Sequence, residues 1–289
     1  MIVVTGANGQ LGQQVIEELL LRTAAENIIA AVRNPEKAEA LRTLGIQVRK
    51  GDYDQPETLK SAFEGARKVL LISSSAVGQR VPQHQAVIHA AEAAGVELLA
   101  YTSILHCDRS PMRLAKEHQQ TEALLHASTL PSVILRNGWY SENYTMNIPV
   151  MLEMKQLFGC AGEGRFASAS RRDYAAAAAV ALTTDNQAGK TYELAGDNSF
   201  NLAEFAALLS EQSKTHIEYQ NLNEQDYTQG LIQAGLPEGF AAILADAENC
   251  AAKGWLADDS RQLQSLIGRA TTPLTDSIQA ALSQKTKTR

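Results

Sequence analysis

Strand-like and helical segments alternate through the first half of the chain. Apolar residues recur with helical spacing over residues 9–22, 35–44, 56–64, 80–94 and 113–127. The strand-like runs are Ile2–Val4, Ile28–Val32, Gln47–Arg49, Val69–Ile72, Leu98–Tyr101 and Val133–Leu135. Apolar strands separated by helices are typical of a parallel sheet with helices on both faces. The pattern therefore predicts an α/β fold built on a doubly wound parallel Rossmann sheet.

The pattern changes after residue 138, where aromatic and small polar residues replace the regular alternation. The later segments are predicted as a helix after Arg171–Asp173, a strand near Thr191–Leu194, a helix over 201–213, a strand over 216–221 and two or three further helices. We expect residues 1–138 to form a nucleotide-binding Rossmann domain. We expect residues 139–289 to form a smaller substrate-binding α/β lobe, with strand exchange between the two.

Composition excludes several classes of protein. The chain has 289 residues, of which 45% are hydrophobic and 20% are charged, and its net charge is −6. Because no basic cluster is present, we expect no nucleic-acid partner. The longest apolar stretch, Tyr174–Leu182, is far shorter than the roughly 20 residues of a membrane helix, so no membrane insertion is expected. No leader precedes the first strand, which favours a cytoplasmic protein and leaves the oligomeric state open.

The cysteines and acidic residues predict neither a disulfide framework nor a metal site. Cys107, Cys160 and Cys250 are far apart and form no C-x-x-C pair, which favours reduced thiols. No group of His, Asp and Glu has the spacing of metal ligands.

A glycine-rich loop follows the first strand and leads into a helix. Its sequence is Gly6-Ala7-Asn8-Gly9-Gln10-Leu11-Gly12. The first glycine permits the tight turn, the second allows close approach of a pyrophosphate, and the third lets the helix pack on the strand. The phosphates then meet N–H groups at the positive end of the helix. The G-x-x-G-x-x-G spacing resembles that of short-chain dehydrogenases/reductases.

The second strand indicates which dinucleotide binds. NAD sites usually carry an acidic residue at this strand end, which accepts hydrogen bonds from the ribose hydroxyls. Here the strand is followed by Arg33, whose planar guanidinium suits a 2′-phosphate. Arg33 therefore predicts NADPH as the cofactor. The alternative is that Arg33 is a solvated surface residue.

Loops at the carboxyl ends of later strands are the expected place for the remaining contacts. Ser73, Ser74 and Ser75 follow the fourth predicted strand, and small hydroxyl residues suit a chain that passes close to ribose and nicotinamide. Simple turn formation explains these serines equally well. After the sixth strand, Asn137 suits a contact with nicotinamide or its ribose.

The sequence lacks the Tyr-x-x-x-Lys pair with which short-chain dehydrogenases exchange a proton with an alcohol. A quinone can accept hydride without a strong acid, because its product is a delocalised hydroquinone anion that water can protonate. Trp139, Tyr140 and Tyr144 are candidate walls for such a flat acceptor, or else they pack between lobes. His118 is a candidate proton donor or, alternatively, a surface residue paired with Glu122.

Several motifs together resemble the NmrA-like atypical branch of the short-chain dehydrogenases/reductases, in particular its quinone-reducing members. The matching stretches are Val4–Gly12, Val32–Pro35, Leu71–Ser75, Val77–Arg80, Ala100–Ser103, Leu135–Tyr144 and Tyr192–Asp197. The resemblance implies a quinone acceptor in a cleft between the lobes, where Asn143, Tyr144 and His118 are the candidate catalytic residues. The cofactor contacts that it implies are Gly6, Ala7, Asn8, Gly9, Gln10, Leu11, Arg33, Ser73, Ser74, Ser75, Asn137, Gly138, Trp139 and Tyr140.

Many NmrA-like enzymes carry a lysine four residues before a glutamate on the helix after the fifth strand. His118 stands at that position here, before Glu122. This departure agrees with a hydride transfer that needs little help from an acid. The predicted function is therefore an NADPH-dependent reductase of quinones or similar electron-poor acceptors. The alternative is a non-catalytic redox sensor that binds NADP(H) and a partner protein, and the missing Tyr-x-x-x-Lys pair disfavours an epimerase or dehydratase.

Overall fold

The apolar runs of the first half form the centre of a seven-stranded sheet. The computed structural model describes residues 1–287. Within them, the strands are β1 Ile2–Thr5, β2 Ile28–Val32, β3 Gln47–Lys50, β4 Lys68–Leu71, β5 Leu98–Ile104, β6 Ser132–Asn137, β7 Gln156–Gly159, β8 Thr191–Leu194 and β9 Glu218–Asn221. The main sheet has the order β3-β2-β1-β4-β5-β6-β8, and β7 pairs with β9 in a separate parallel pair.

The helices connect these strands in the manner of a doubly wound fold. They are α1 Gln10–Leu20, α2 Glu39–Thr43, α3 Pro56–Ala62, α4 Arg80–Ala93, α5 Ala115–Ala127, α6 Glu142–Thr145, α7 Ile148–Met154, α8 Arg171–Thr183, α9 Leu202–Ser213, α10 Glu224–Gln233, α11 Glu238–Ala251, α12 Gln262–Ile267 and α13 Leu274–Lys287. Two short 3₁₀ segments, Ala25–Asn27 and Pro35–Lys37, complete the connections.

The strand order reverses between β1 and β4, which places the switch point of the sheet beside the glycine loop. The pairs β1–β2, β2–β3, β1–β4, β4–β5 and β5–β6 are all parallel. In such sheets a ligand crevice opens at the carboxyl ends of the strands where the order reverses. The loops after β1, β4 and β5 therefore surround the expected binding region.

One compact unit contains this sheet and comprises residues 1–108, 117–137 and 171–193. Its first helix buries one face, with Leu11, Val15, Ile16 and Leu19 in the core. Against α1 packs α8, in which Ala175–Ala179 are all buried. Alanine side chains let two helices approach closely, so α8 supports the helix that follows the glycine loop.

A second unit comprises residues 109–116, 138–170 and 194–289. Its interior contains four aromatic rings, Tyr144, Phe166, Phe200 and Phe205, whose centroids lie 5.3–6.0 Å apart. A buried carboxylate, Glu248 on α11, accepts hydrogen bonds from the Cys160 N–H at 2.5 Å and the Tyr227 hydroxyl at 3.1 Å.

The predicted boundary at residue 138 differs from these units in two segments. Residues 171–193 lie with the sheet unit, because β8 extends the sheet beside β6 and α8 packs on α1. Residues 109–116, within the predicted Rossmann domain, lie in the second unit.

Element boundaries differ from the predictions mainly where elements are short. The segment predicted as one helix over 35–44 is a 3₁₀ turn followed by α2, because Asn34 caps a proline-led turn through the Glu36 N–H. Four helices follow β9 within residues 1–287, where two or three were predicted. Gly235, Pro237, Gly268 and Pro273 separate these helices, since glycine and proline end helical segments.

None of the helices within residues 1–287 has both the length and the apolar character that a membrane crossing requires. Cys107, Cys160 and Cys250 are all unpaired in the described chain.

Candidate functional site

The glycine loop is shaped by backbone constraints that a side chain would break. Gly6 adopts a φ of 59°, a left-handed conformation that favours glycine. A Cβ on Gly12 would lie 2.5 Å from the carbonyl oxygen of Gly6 and 2.7 Å from Cα of Ala7. Helix α1 therefore approaches the loop as closely as backbone atoms allow, as the sequence predicted for the third glycine.

The start of α1 presents uncapped backbone N–H groups. The first bond within the helix joins the Gln13 N–H to the Gly9 carbonyl at 3.0 Å, so the N–H groups of Gln10, Leu11 and Gly12 precede it. Gly9 provides no side-chain cap, and the first turn contains no acidic residue. A helix start with free donors and no acidic side chain favours an anionic ligand such as a phosphate.

Arg33 lies immediately beyond β2 with an exposed side chain. Within residues 1–287 its guanidinium has no protein hydrogen-bond or ion-pair partner. Nearby, the Tyr53 hydroxyl lies 2.5 Å from Thr5 Oγ1 and donates to the Ile72 carbonyl at 2.8 Å. Burial raises the pKa of Tyr53 well above its usual value, so this phenol remains neutral.

The loop after β4 is held by hydrogen bonds to its backbone. The Ser73 N–H donates to Thr102 Oγ1 at 2.8 Å, and the Ser74 N–H donates to His84 Nε2 at 2.9 Å. Arg80 Nε donates to the Ser74 carbonyl at 2.5 Å. The Ser74 hydroxyl accepts the Ala76 N–H, whereas Ser75 is exposed. The predicted serine contacts thus lie on a rigidly supported turn at the switch point.

His118 lies inside the sheet unit and not on its surface. Its Nδ1 is 2.7 Å from the Tyr101 hydroxyl, and its Nε2 is 3.4 Å from Arg80. Burial, and secondarily the positive charge of Arg80, hold the pKa of His118 well below its usual value. The alternative prediction, a surface histidine paired with Glu122, is wrong, because Glu122 instead binds Arg136 and Ser103.

Asn137 ends β6 with a buried carboxamide. Its side chain is 5% exposed, and its Oδ1 has no hydrogen-bond partner among the described residues. A buried amide oxygen without a donor is costly unless a ligand or water supplies one. Asn137 is thus suited to contact a polar ligand, and its contact with nicotinamide or its ribose stays a prediction.

The segment that follows, Gly138–Tyr144, begins the second unit. Gly138 donates to the Leu194 carbonyl at 2.7 Å, and the Trp139 carbonyl accepts the Ala169 N–H. Trp139, Tyr140 and Asn143 are half-buried and engaged in further contacts, and their predicted roles stay predictions.

Tyr144 is a core residue of the second unit. It is 7% exposed, and its ring packs edge-on to Phe166 and Phe200 and at a tilt to Phe205. Burial raises the pKa of Tyr144 well above its usual value. The sequence predicted that Tyr144 either forms a wall for a flat acceptor or packs between the lobes. In the structure its ring packs inside the second unit.

An ionic network at the carboxyl end of the sheet was not predicted from the sequence. Arg136 donates to both carboxylate oxygens of Glu122, at 3.0 and 2.7 Å, and to Glu193 at 2.8 Å. The Ser103 hydroxyl and the His106 N–H donate to the same two carboxylates. These bonds join β5, α5, β6 and β8, so Arg136 supports the sheet edge.

Comparison with known proteins identifies the family. A family model described as NAD(P)H-binding matches residues 6–185. The chain belongs to this NAD(P)H-binding family.

Relatives within this family extend the likeness over nearly the whole chain. Quinone oxidoreductase 2 of Escherichia coli (strain K12) is 52% identical over 278 residues, covering 96% of this chain and 97% of the relative. The crystal structure of the NADPH-dependent quinone oxidoreductase from Escherichia coli complexed with NADPH superposes with a TM-score of 0.95 at 51% identity, covering 98% of this chain and 100% of that one. Citrobacter sp. triphenylmethane reductase complexed with NADP(H) has a TM-score of 0.93 at 38% identity, covering 97% and 100%. These findings confirm the predicted family resemblance and the Rossmann fold.

Three independent features of this chain suit a bound dinucleotide. The start of α1 lacks a cap, the close Gly12 contact brings backbone to the loop, and the amide oxygen of Asn137 lacks a partner. The first two observations suit a pyrophosphate, and the third suits a polar group elsewhere on the ligand.

Proposed function

We propose that this chain is an NADPH-dependent reductase that acts on quinones. The observation that carries the proposal is the 52% identity to Escherichia coli quinone oxidoreductase 2 across nearly the whole of both chains. The 38% identity to triphenylmethane reductase, over 97% of this chain and 100% of that one, supports extending the proposal to similar electron-poor acceptors.

Three sets of residues hold three parts of the cofactor in this proposal. The N–H groups of Gln10, Leu11 and Gly12 bind the pyrophosphate, with Gly6–Gly9 shaping the turn. The exposed guanidinium of Arg33 binds the 2′-phosphate, a contact for which NADH has no partner. Ser73, Ser75 and Asn137 provide polar contacts to the remainder of the dinucleotide, as do Gly138, Trp139 and Tyr140. Bound NADPH supplies the hydride.

The titratable side chains of the sheet unit favour an acceptor that needs no strong acid. Burial raises the pKa values of Tyr53 and Tyr101, and it keeps His118 neutral with both ring nitrogens engaged. These groups are not tuned to give up a proton near neutral pH. A reduced quinone suits such a site because water can protonate its delocalised anion.

In this proposal, the protein accelerates the reaction mainly by orienting the cofactor and the acceptor. His118 supports Arg80 and Tyr101 and acts as a positioning residue, whereas Asn143 remains the candidate for direct contact with the acceptor. A site that aligns two flat rings accelerates hydride transfer by proximity and orientation. A cytoplasmic location is proposed on the three unpaired thiols.

The proposal is tested by following the absorbance of NADPH with purified protein and a panel of benzoquinones, naphthoquinones and cationic dyes. We expect NADPH oxidation that depends on the acceptor, with saturation in both substrates. Tight NADPH binding without oxidation by any acceptor would contradict the reductase and favour the alternative, a redox sensor that acts through a partner protein.

A further inference from the structure

Three consecutive peptide groups of the loop after β4 are fixed by side chains from neighbouring elements. Thr102 on β5 accepts the N–H of Ser73, and His84 on α4 accepts the N–H of Ser74. Arg80, also on α4, donates to the carbonyl of Ser74. Each bond holds one peptide plane, so none of these three planes can rotate without breaking a partly buried hydrogen bond.

The hydrogen-bond pattern around His84 defines its tautomer. The Thr121 hydroxyl donates to the Glu117 carbonyl at 2.9 Å, so its oxygen accepts the Nδ1–H of His84, also at 2.9 Å. The Nε2 lone pair of His84 is then the acceptor for the Ser74 N–H. Only the neutral ring with its proton on Nδ1 makes all of these bonds.

Burial keeps His84 in that state. The side chain is fully buried, and its ring packs edge-on against Tyr53 and Tyr101. Desolvation, followed by the nearby charge of Arg80, lowers the pKa of His84 to about 3. A protonated ring would direct an N–H at the Ser74 N–H and release the turn.

Arg80 is held in turn from the opposite side. Its guanidinium lies 3.4 Å from Nε2 of His118, and its backbone N–H donates to Glu117 at 3.2 Å. Glu117 also accepts the Gly78 N–H, so it caps the start of α4. The two histidines and Arg80 therefore form one buried support behind the serine turn.

We propose that His84 and Arg80 are positioning residues, which fix the Ser74 peptide groups so that the turn Ser73–Ser75 presents its free polar atoms to NADPH. This inference rests on the proposed function for the identity of the ligand. The Ser74 hydroxyl accepts the Ala76 N–H, and the Ser73 hydroxyl accepts a long hydrogen bond of 3.5 Å from Thr102 Oγ1. The turn therefore offers the O–H of Ser73 and the hydroxyl of Ser75 to the ligand.

The test compares His84→Leu, which removes the acceptor, with His84→Gln, which retains an amide oxygen of similar reach and cannot titrate. His89→Gln is the matched control, since His89 is exposed on the same helix. Two readouts need no acceptor: amide hydrogen exchange of residues 72–79 in the ligand-free protein, and NADPH affinity by fluorescence titration.

We expect His84→Leu to exchange about tenfold faster in this turn and to bind NADPH about tenfold more weakly, because the partly buried Ser74 N–H loses its acceptor. His84→Gln should restore both values to within about threefold, and His89→Gln should match the unmodified protein. Unchanged exchange or unchanged NADPH affinity in His84→Leu would overturn the role of His84.

Arg80→Lys is the second variant, used also if His84→Leu does not fold. A lysine keeps the charge but lacks the planar fork that reaches both Ser74 and His118, so weaker NADPH binding is expected. Unchanged affinity in this variant would remove Arg80 from the proposal. If all variants behave as expected but no quinone is reduced, the proposed function fails while the positioning role stands.

Discussion

At the scale of single residues, Arg33 is the side chain that we propose recognises the 2′-phosphate of NADPH. It follows β2 directly, is exposed, and has no protein partner within residues 1–287. A charged hydrogen bond to the 2′-phosphate contributes roughly 1.5–3 kcal/mol. On the proposed function, this residue discriminates between two dinucleotides that are otherwise identical.

We predict that Arg33→Ala weakens NADPH binding roughly 10- to 100-fold and changes NADH binding less than about twofold. Dissociation constants for both dinucleotides, measured by fluorescence titration, check this expectation. Arg42→Ala is a suitable control, because Arg42 is exposed in the same unit and pairs with Glu39. Equal losses for the two dinucleotides would show that Arg33 does not recognise the 2′-phosphate.

The environment of His118 could not be predicted from residue types alone. A histidine and a glutamate four residues apart on a helix are typical of an exposed pair, and the sequence does not indicate which face of a weakly amphipathic helix is buried. In the structure both residues are buried, and each binds a different arginine, Arg80 or Arg136. The partners come from elements 14 to 38 residues away, which local spacing cannot reveal.

At the scale of elements, the sequence predicted the strands of the sheet well and the short elements after residue 138 poorly. Strand β2 is apolar at every position and buried throughout, so its pattern is unambiguous. In contrast, α6, α7 and β7 have 4–7 residues each and were not predicted. Strand β7 pairs with β9 about 60 residues later, so its conformation depends on a non-local partner.

The network around Arg136 supports a prediction about how these elements are joined. The side chain is 11% exposed and binds three carboxylates, of which Glu122 and Glu193 are largely buried and Asp108 is exposed. Removing a buried arginine leaves those charges unpaired. We predict that Arg136→Met lowers the free energy of unfolding by roughly 3 kcal/mol, measured by urea denaturation.

A double-mutant cycle distinguishes this mechanism from general loss of packing. Arg136→Met combined with Glu122→Met should lose less stability than the sum of the two single changes, because the second change removes an unpaired charge. Arg67→Met is the control, since Arg67 forms a similar two-pronged pair with Glu97 on an exposed surface and should have little effect. Additive losses at Arg136 and Glu122 would argue against coupling.

At the scale of the whole molecule, the two units have opposite responses to pH. In the sheet unit, burial lowers the pKa values of His84 and His118. Their neutral forms therefore contribute fully to the stability of the fold above about pH 6.5, and this contribution is lost as the pH falls. In the second unit, burial raises the pKa of Glu248 to about 7, although Cys160 and Tyr227 donate to it. The protonated Glu248 therefore contributes fully to stability below about pH 4.5, and this contribution is lost as the pH rises to 7.

We therefore predict opposite shifts in the pH dependence of stability between pH 5 and 6.5. In the Glu248→Gln variant, the free energy of unfolding should fall more steeply on acidification, by roughly 1.4 kcal/mol per pH unit. In the His84→Gln variant, it should fall less steeply, by a similar amount per pH unit. Urea denaturation at several pH values measures both slopes, with His89→Gln as the control. A Glu248→Gln slope equal to that of the unmodified protein would show that this carboxyl does not titrate between the folded and unfolded states in that range.

The uncapped start of α1 would connect protein abundance to the supply of the dinucleotide. A ligand that binds only the folded chain adds about 2.7 kcal/mol of stability when its concentration is a hundred times its dissociation constant. In the proposed complex, the N–H groups that a serine or aspartate side chain would satisfy in another helix are satisfied by the pyrophosphate, which NADPH and NADP⁺ share. When the total concentration of the two dinucleotides falls, the unfolded fraction rises and proteases gain access to it. On this proposal, the lifetime of the protein, and not only its rate of turnover, follows the size of the NADP(H) pool.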